Sequence, residues 1–165
     1  MATTYLLDGS QVVTENINGT LSQTLYGPGT DHALARNGEF FLPNHLGSTT
    51  ALTDGSGNLT QSYQYQPFGQ TTGGGTDSNP FQFTGRENDG DGLLYYRARY
   101  YNPSWGRFVS ADPAGFGGGI NPYAYAGNNP VSAGDPTGLG DPNVDPQANY
   151  EWIWEGGWPP DQSTL

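Results

Sequence analysis

The segment RYYNPSWGRFVSADPAGFGGGINPYAYAGNNPVSAGDPTGL, residues 99–139, organises the whole chain. It contains two Asp-Pro-x-Gly units, which begin at Asp112 and Asp135. A glycine run, an alternating Pro-Tyr-Ala-Tyr stretch and an Asn-Asn-Pro turn lie between the two units. Asp beside Pro and Gly is typical of a tight turn, in which the carboxylate accepts hydrogen bonds from nearby backbone. The segment therefore holds two turn carboxylates that one short stretch of chain can bring together.

The composition limits the classes of partner. The 165 residues carry a net charge of −11 and only five basic side chains, all of them Arg. Nucleic-acid backbones and anionic membrane surfaces are bound by clustered cations, so we expect neither as a partner.

The sequence also limits its covalent and membrane features. The absence of Cys excludes disulfides and thiolate metal sites. We expect no transmembrane segment and no signal peptide, because no long apolar run exists and residues 1–8 lack a basic start.

The balance of charge and hydrophobicity is typical of disorder, but the aromatic content opposes that interpretation. Hydrophobic residues make up 33% of the chain, and aromatic residues make up 13%. Disordered chains are poor in aromatic residues, whose rings each bury a large area. We therefore expect a folded chain with a thin core, which buries its faces against further repeats, a cargo or copies of itself.

Short alternating segments separated by Gly, Asn and Asp predict strands joined by hairpin turns. Asn18-Gly19 and Asn37-Gly38 are typical two-residue hairpin turns, and residues 54–58 predict a third, longer turn. Residues 12–23 resemble residues 50–61, which indicates a repeated hairpin that shares one continuous sheet with its neighbours. Further along, we predict a flexible loop over 70–80, a strand over 81–83 and one aromatic strand over 93–101.

The chain resembles the C-terminal core of RHS/YD-repeat proteins from about residue 5 to residue 139. The order and spacing of its motifs carry this resemblance. In chain order they are Tyr5-Leu-Leu-Asp-Gly, Tyr26-Gly-Pro-Gly, His45-Leu-Gly-Ser-Thr, Tyr65-Gln-Pro-Phe-Gly, Phe83-Thr-Gly, Gly92-Leu-Leu-Tyr-Tyr-Arg-Ala-Arg-Tyr-Tyr, Gly106-Arg-Phe, Asp112-Pro, Asn121-Pro-Tyr-Ala-Tyr, Asn128-Asn-Pro-Val and Asp135-Pro-Thr-Gly-Leu.

The resemblance implies a fold and a division into three parts. It implies an all-β chain of stacked antiparallel hairpins of YD/RHS-repeat type, which form a curved sheet that is a fragment of a β-shell. Residues 1–91 are then the hairpin repeats, residues 92–139 are the loop-rich core segment, and residues 140–165 are the variable C-terminal tail. In this family the shell holds a toxin, which is the variable region that follows the core.

The resemblance also implies an activity, because the core segment of many members is an aspartyl autoprotease that cuts after the DPxGL motif. Carried over to this chain, the cut falls between Leu139 and Gly140, Asp112 and Asp135 form the carboxylate pair, and Arg99 is the associated basic residue. Two neighbouring carboxylates share a proton, so that one acts as a base towards water and the other as an acid. Cleavage within one chain also gains from proximity.

Simpler interpretations of these residues stay open. Each Asp-Pro pair is also explained as a turn alone, and Arg99 as a structural ion pair or a stacking partner for the tyrosines, with Arg97 as an alternative basic residue. His32 and His45 lack metal-ligand spacing, so we expect neither a metal nor a cofactor. Residues 54–58 favour a hairpin turn over a calcium loop because they lack the spaced acidic ligands.

Three functions follow from these observations. The first is an RHS core module of a bacterial polymorphic-toxin type protein, which cleaves itself after Leu139 and releases its tail or a peptide cargo. The second is a non-enzymatic structural protein that assembles with itself through sheet edges into a shell, tube or filament. The third is a carbohydrate- or surface-binding module that uses exposed aromatic rings. For the first two we expect a bacterial protein that is cytoplasmic before export and then secreted or on the cell surface.

Overall fold

The structure is a computed structural model that describes residues 3–9, 11–28, 31–73 and 79–140. Nearly all of the predicted C-terminal tail and part of the predicted loop over 70–80 lie outside these residues. Within them, regular structure consists of β-strands and three short 3-10 turns. The expectation of an all-β chain built from antiparallel hairpins is confirmed.

The N-terminal half forms one sheet of seven strands. Each strand pairs antiparallel with the next along the chain, so that spatial order follows sequence order. The strands are β1 Thr3–Asp8, β2 Gln11–Ile17, β3 Thr20–Tyr26, β4 Ala33–Arg36, β5 Glu39–Pro43, β6 Thr49–Thr53 and β7 Leu59–Ser62.

The turns of this sheet follow the chemistry of their residues. At Asn18-Gly19 the φ angles are 53° and 90°, and at Asn37-Gly38 they are 53° and 85°. Two-residue hairpin turns of type I′ need positive φ at both central positions, which Asn and Gly adopt most readily. In the longer turn between β6 and β7, Asp54 Oδ1 accepts hydrogen bonds from the backbone N–H groups of Ser56 and Asn58, each at 2.9 Å.

The C-terminal half contains two smaller sheets and the 3-10 turns. Strands β8 (Gln64–Tyr65) and β9 (Thr71–Gly73) form a pair. A four-stranded antiparallel sheet follows, and the 3-10 turns precede or follow it. The strands of this sheet are β10 Glu87–Asn88, β11 Leu94–Tyr96, β12 Arg99–Asn102 and β13 Arg107–Phe108, and the 3-10 turns are Phe83–Gly85, Gly115–Gly118 and Ala126–Asn128.

The prediction of a single aromatic strand over 93–101 is wrong. The segment is a hairpin, in which β11 and β12 flank a turn at Arg97-Ala98. Arg97 has φ 54° although it is neither Gly nor Asn. Its guanidinium binds both oxygens of Asp31, at 2.6 and 3.0 Å, and the Pro136 carbonyl, while Ala98 N–H donates to the Thr137 carbonyl at 3.3 Å. Contacts with residues far away in sequence therefore stabilise this turn, whose own two residues are not typical turn formers.

The hairpin sorts its side chains onto two faces. Tyr95 and Tyr100 lie opposite each other on the exposed face, with ring centroids 5.4 Å apart. Tyr96, Arg99 and Tyr101 are buried on the other face. Because neighbouring strand residues point to opposite faces, the register of this hairpin decides that Arg99 faces the interior.

The strand predicted over 81–83 is also absent. Phe81 makes one isolated bridge to Glu87, and Phe83 begins a 3-10 turn in which Thr84 has φ 49°. Ser48 Oγ accepts a hydrogen bond from Thr84 N–H at 2.9 Å, which favours the turn over an extended strand. The two phenylalanines consequently enter two different hydrophobic clusters.

The core is small and consists mainly of aromatic rings, in agreement with the composition. One cluster lies against the seven-stranded sheet and the other against the four-stranded sheet. The first contains Phe41, Leu52, Tyr63 and Phe81, and the second contains Phe83, Leu94, Tyr96, Tyr101, Phe108, Tyr125, Ala126 and Ala133. The side chains of β1 are all exposed, so the sheet buries apolar surface chiefly towards its later strands.

Two glycines of the β6–β7 turn provide a test of these turn geometries. Gly57 has φ +84° and Gly55 lies outside the left-handed region, and a Cβ at either position would meet nothing within 4 Å. We expect Gly57→Ala to lower the free energy of unfolding by about 1 kcal/mol, because an L side chain is strained at that φ. Gly55→Ala is the matched control, and we expect it to be neutral or to stabilise by up to about 0.5 kcal/mol. Urea denaturation of both variants measures the difference, and equal effects would contradict the assigned geometry.

Candidate active site

The guanidinium of Arg99 is the centre of the site. It projects from β12 into the interior, and the residue is 3% exposed. Its Nη2 lies 3.0 Å from Asp112 Oδ2 and 3.3 Å from Asp135 Oδ2, so a single nitrogen bridges the two carboxylates. Nη1 donates to the Pro122 carbonyl at 2.9 Å, and Nε donates to the Gly138 carbonyl. The planar donor fork of arginine suits this set of acceptors, which comes from four separate points of the chain.

An aromatic ring supports the guanidinium from one side. The Arg99 Cζ lies 3.6 Å from the centroid of the Phe108 ring. Phe108 is fully buried and also contacts the rings of Tyr96, Tyr101 and Tyr125. A cation over an aromatic face is attracted by the ring, and a desolvated pair of this kind is worth about 2 kcal/mol. The aromatic core therefore fixes the position of the cation.

Asp112 enters the site from the first Asp-Pro-x-Gly turn. Its Oδ1 accepts a hydrogen bond from Ala114 N–H at 2.8 Å, and its backbone carbonyl accepts one from Gly115 N–H at 2.9 Å. Its own N–H donates to the Pro122 carbonyl at 2.9 Å, the same carbonyl that Arg99 binds. The turn thus uses one carboxylate oxygen and leaves the other facing Arg99.

Asp135 holds the backbone that follows it. Its Oδ1 accepts hydrogen bonds from the N–H groups of Gly138 at 2.8 Å and Leu139 at 3.2 Å. Its Oδ2 accepts one from Gly140 N–H at 2.9 Å. Asp135 is 2% exposed, so these donors replace the water that its charge would otherwise bind. The peptide bond between Leu139 and Gly140 is therefore fixed directly against this carboxylate.

The charges of the site are buried together. The side chains of Arg99, Asp112 and Asp135 are each 1–2% exposed. Burial lowers the pKa of the Arg99 guanidinium from its ordinary value, and the two neighbouring carboxylates oppose that change. Arginine stays protonated even so, because its ordinary pKa is far above neutral pH. The cation compensates a pair of carboxylates that would otherwise repel each other in a region of low dielectric constant.

The structure separates the two arginines that the sequence left as alternatives. Arg97 binds Asp31 and the Pro136 carbonyl, and Arg86 binds the same aspartate. Arg99 forms ion pairs with both Asp112 and Asp135. Of the two simpler alternatives left open for Arg99, the ion pair is present. The ring on which its guanidinium stacks is that of Phe108.

The structure brings the five residues assigned from the sequence into one place: Arg99, Asp112, Asp135, Leu139 and Gly140.

Sequence reasoning missed three residues of the site, which are Pro122, Phe108 and Gly118. A Cβ built on Gly118 would overlap Asp112 Oδ2 and lie 3.1 Å from the Leu139 carbonyl oxygen. The run Gly117-Gly118-Gly119 signals only a flexible segment, so nothing in the sequence marks its middle residue.

Comparison with known proteins agrees with the resemblance found from the motifs. The toxin protein Tse5 of Pseudomonas aeruginosa is 44% identical over 111 residues, which are 61% of this chain and 8% of Tse5. The toxin subunit YenC1 of Yersinia entomophaga is 38% identical over 102 residues, which are 58% of this chain and 10% of YenC1. The chain is homologous to a segment of bacterial toxin proteins. It spans at most about a tenth of either relative, and no protein-family model matches it.

The fold agrees with the same relationship. The crystal structure of TcdB2-TccC3-TEV superposes with a TM-score of 0.63 at 26% identity, and the match covers 83% of this chain and 8% of that one.

Within the described ranges, no helix has the length and hydropathy needed to cross a membrane. No group of three or more His, Asp or Glu residues in that part of the chain has a metal-binding arrangement.

Removal of the central cation tests how far the site depends on it. We expect Arg99→Gln to lower the free energy of unfolding at pH 7 by about 3–5 kcal/mol, because two buried carboxylates lose their counterion. The matched control is Arg107→Gln, which removes an exposed arginine of the adjacent strand β13 and should change stability by no more than about 0.5 kcal/mol. Urea denaturation measures both, and a loss below 1 kcal/mol for Arg99→Gln would contradict the central role of this ion pair.

Proposed function

We propose that this chain is an RHS core module of a bacterial toxin-type protein and that it cleaves its own backbone between Leu139 and Gly140. The observation that carries the proposal is the 2.9 Å hydrogen bond from Gly140 N–H to Asp135 Oδ2, in a site where Arg99 bridges Asp135 and Asp112. Homology to bacterial toxin proteins supports it. The proposal includes the division of the chain into hairpin repeats over 1–91, a core segment over 92–139 and a tail over 140–165.

The roles of the two carboxylates follow from what each one faces. Asp135 lies against the nitrogen that leaves when the bond breaks, so it takes a proton from water and delivers that proton to Gly140 N. Asp112 lies across Gly118 from the Leu139 carbonyl oxygen. In this proposal Asp112 carries the one proton that the pair shares, supplies it to that oxygen during attack and recovers it afterwards. The reaction consumes one water molecule, forms a C–O bond at the Leu139 carbonyl carbon, breaks the C–N bond, and leaves a carboxylic acid on Leu139 and an amine on Gly140.

Arg99 and the surrounding backbone keep these groups in place. The guanidinium binds both carboxylates and the Gly138 carbonyl, next to the bond that is cut. Because the substrate is part of the same chain, its position is fixed before reaction, and a single cut needs no turnover or product release. Release of the tail as a cargo, and export of the protein, are further parts of this proposal.

The mass of the intact protein after expression tests self-cleavage. We expect the parent chain to lose residues 140–165, and Asp112→Asn and Asp135→Asn to stay whole or to cut at least about 100-fold more slowly. Asn keeps an oxygen that accepts hydrogen bonds, so these variants preserve the turn and remove the chemistry. Asp54→Asn is the matched control, because Asp54 also accepts backbone hydrogen bonds in a turn, and it should cut like the parent.

The kinetics distinguish cleavage in one chain from contamination by a protease. A reaction in cis is first order, so its rate should not change with protein concentration, and adding parent protein should not cut Asp135→Asn. An intact parent chain after prolonged incubation would refute the proposed activity.

A structural role is the second candidate, and the first strand favours it. β1 is at the end of the seven-stranded sheet, where β2 is its paired neighbour in the described residues. Tyr5, Leu6 and Leu7 are 58–62% exposed on it. An exposed apolar edge strand is a template for pairing with another strand, either from a preceding repeat or from a second copy.

Light scattering after size-exclusion chromatography tests this second candidate. In the Asp112→Asn background, which keeps the chain whole, self-assembly predicts a mass well above 17.6 kDa. Leu6→Lys should reduce that mass to the monomer, because a charge on the edge strand opposes pairing. Ile120→Lys, at a 94% exposed position outside the sheets, is the control and should leave the assembly unchanged. A monomeric parent would contradict self-assembly.

A further inference from the structure

Gly118, the last residue of the 3-10 turn Gly115–Gly118, lies between a carboxylate and the bond proposed to be cut. A Cβ at this position would overlap Asp112 Oδ2, lie 3.0 Å from Asp112 Cγ and lie 3.1 Å from the Leu139 carbonyl oxygen. Real Cβ atoms essentially never come as close to another atom as this one would to Asp112 Oδ2, and the other two contacts are tighter than nine in ten real Cβ contacts. The space that joins Asp112 to the Leu139 carbonyl is therefore open only because residue 118 has no side chain.

The backbone of Gly118 also touches the other side of the same bond. A Cβ built on Gly140 would come within 2.8 Å of Gly118 Cα and 3.3 Å of the Gly118 carbonyl oxygen. Gly118 thus borders the residues on both sides of the Leu139–Gly140 bond so closely that a side chain on Gly118 or on Gly140 would collide there. Asp135 holds the N–H groups of these two residues from elsewhere in the site, so Gly118 and Asp135 fix the segment together.

Backbone conformation does not explain a glycine at this position. The φ angles of Gly115 and Gly119 are +61° and +124°, values that favour glycine, but Gly118 lies outside the left-handed region. Its neighbour Gly117 also lies outside that region, and a Cβ there would meet only the Ala114 Cβ at 3.8 Å, an ordinary contact. Of these two adjacent glycines, only Gly118 is required by its surroundings.

We propose that Gly118 is a positioning residue for self-cleavage, since the missing side chain lets the Leu139 carbonyl approach the Asp112 carboxylate. This inference rests on the proposed function. A side chain at residue 118 has two ways to fit. It displaces Asp112 from the Arg99 Nη2, now 3.0 Å away, or it displaces the Leu139–Gly140 segment from Asp135. Either displacement separates the groups that must react.

The first experiment compares two variants that add the same methyl group to adjacent residues. We expect Gly118→Ala to slow the loss of residues 140–165 by about 100-fold, because misplacement by about 1 Å is enough for an effect of that size. Gly117→Ala should cut at the parental rate. Equal rates for the parent, Gly117→Ala and Gly118→Ala would overturn the proposal. A parent that is never cut would instead refute the proposed function.

The second experiment separates positioning from a general loss of stability and does not depend on cleavage. Amide hydrogen exchange is measured in the Asp112→Asn background, with and without Gly118→Ala. We expect the added methyl group to speed exchange at Gly140 N–H by at least about 10-fold, since that group leaves Asp135. Phe108 N–H, which donates to the Tyr123 carbonyl at 3.0 Å in the core, should exchange at an unchanged rate. Unchanged exchange at Gly140, or equal acceleration at both amides, would overturn the positioning role.

Discussion

The ion pair of one arginine with two aspartates holds the C-terminal half of this protein together. Between Val109 and Gly140 the chain contains two short 3-10 turns and one isolated bridge, from Ala124 to Arg107, so no continuous sheet ladder fixes its course within these described residues. Arg99 supplies the missing constraint by binding Asp112, Asp135 and the carbonyls of Pro122 and Gly138. Burying two carboxylates is unfavourable unless a cation and hydrogen bonds compensate them, so the loops take the one arrangement that brings both to Arg99.

The aromatic core makes that arrangement precise. Tyr96, Tyr101, Phe108 and Tyr125 pack at ring-centroid distances of 4.4–5.9 Å, and the Phe108 ring lies beneath the guanidinium. Hydroxyl groups anchor the same rings, since Tyr96 bonds to Thr84 at 2.6 Å and Tyr101 to the Phe68 carbonyl at 2.7 Å. Large rings with fixed polar ends therefore provide a rigid base for a charged site in a chain with few aliphatic residues.

The sequence predicts those parts of the molecule that local chemistry decides. The Asn-Gly turns and the meander of strands need only their own residues, and they form as expected. The turn at Arg97-Ala98 depends on Asp31 and Pro136, which are far away in sequence, so local patterns predict one continuous strand instead. That error also leaves Arg97 open as an alternative to Arg99, because alternation places both on the same face of a continuous strand. The hairpin separates them, and a similar tertiary contact gives Gly118 its importance within an unremarkable glycine run.

The turn interpretation and the catalytic interpretation of Asp135 describe the same hydrogen bonds. An aspartate that begins a turn accepts N–H groups from the residues just after it, as Asp54 does in the β6–β7 turn. At Asp135 these acceptor contacts extend to Gly140, which brings the nitrogen of the Leu139–Gly140 bond to a carboxylate oxygen. Asp54 and Asp135 therefore differ in the neighbours that their carboxylates have besides the turn N–H groups. At Asp135 these neighbours are Arg99 and, through it, Asp112. The contacts that close the turn therefore also place a peptide bond beside a buried carboxylate pair.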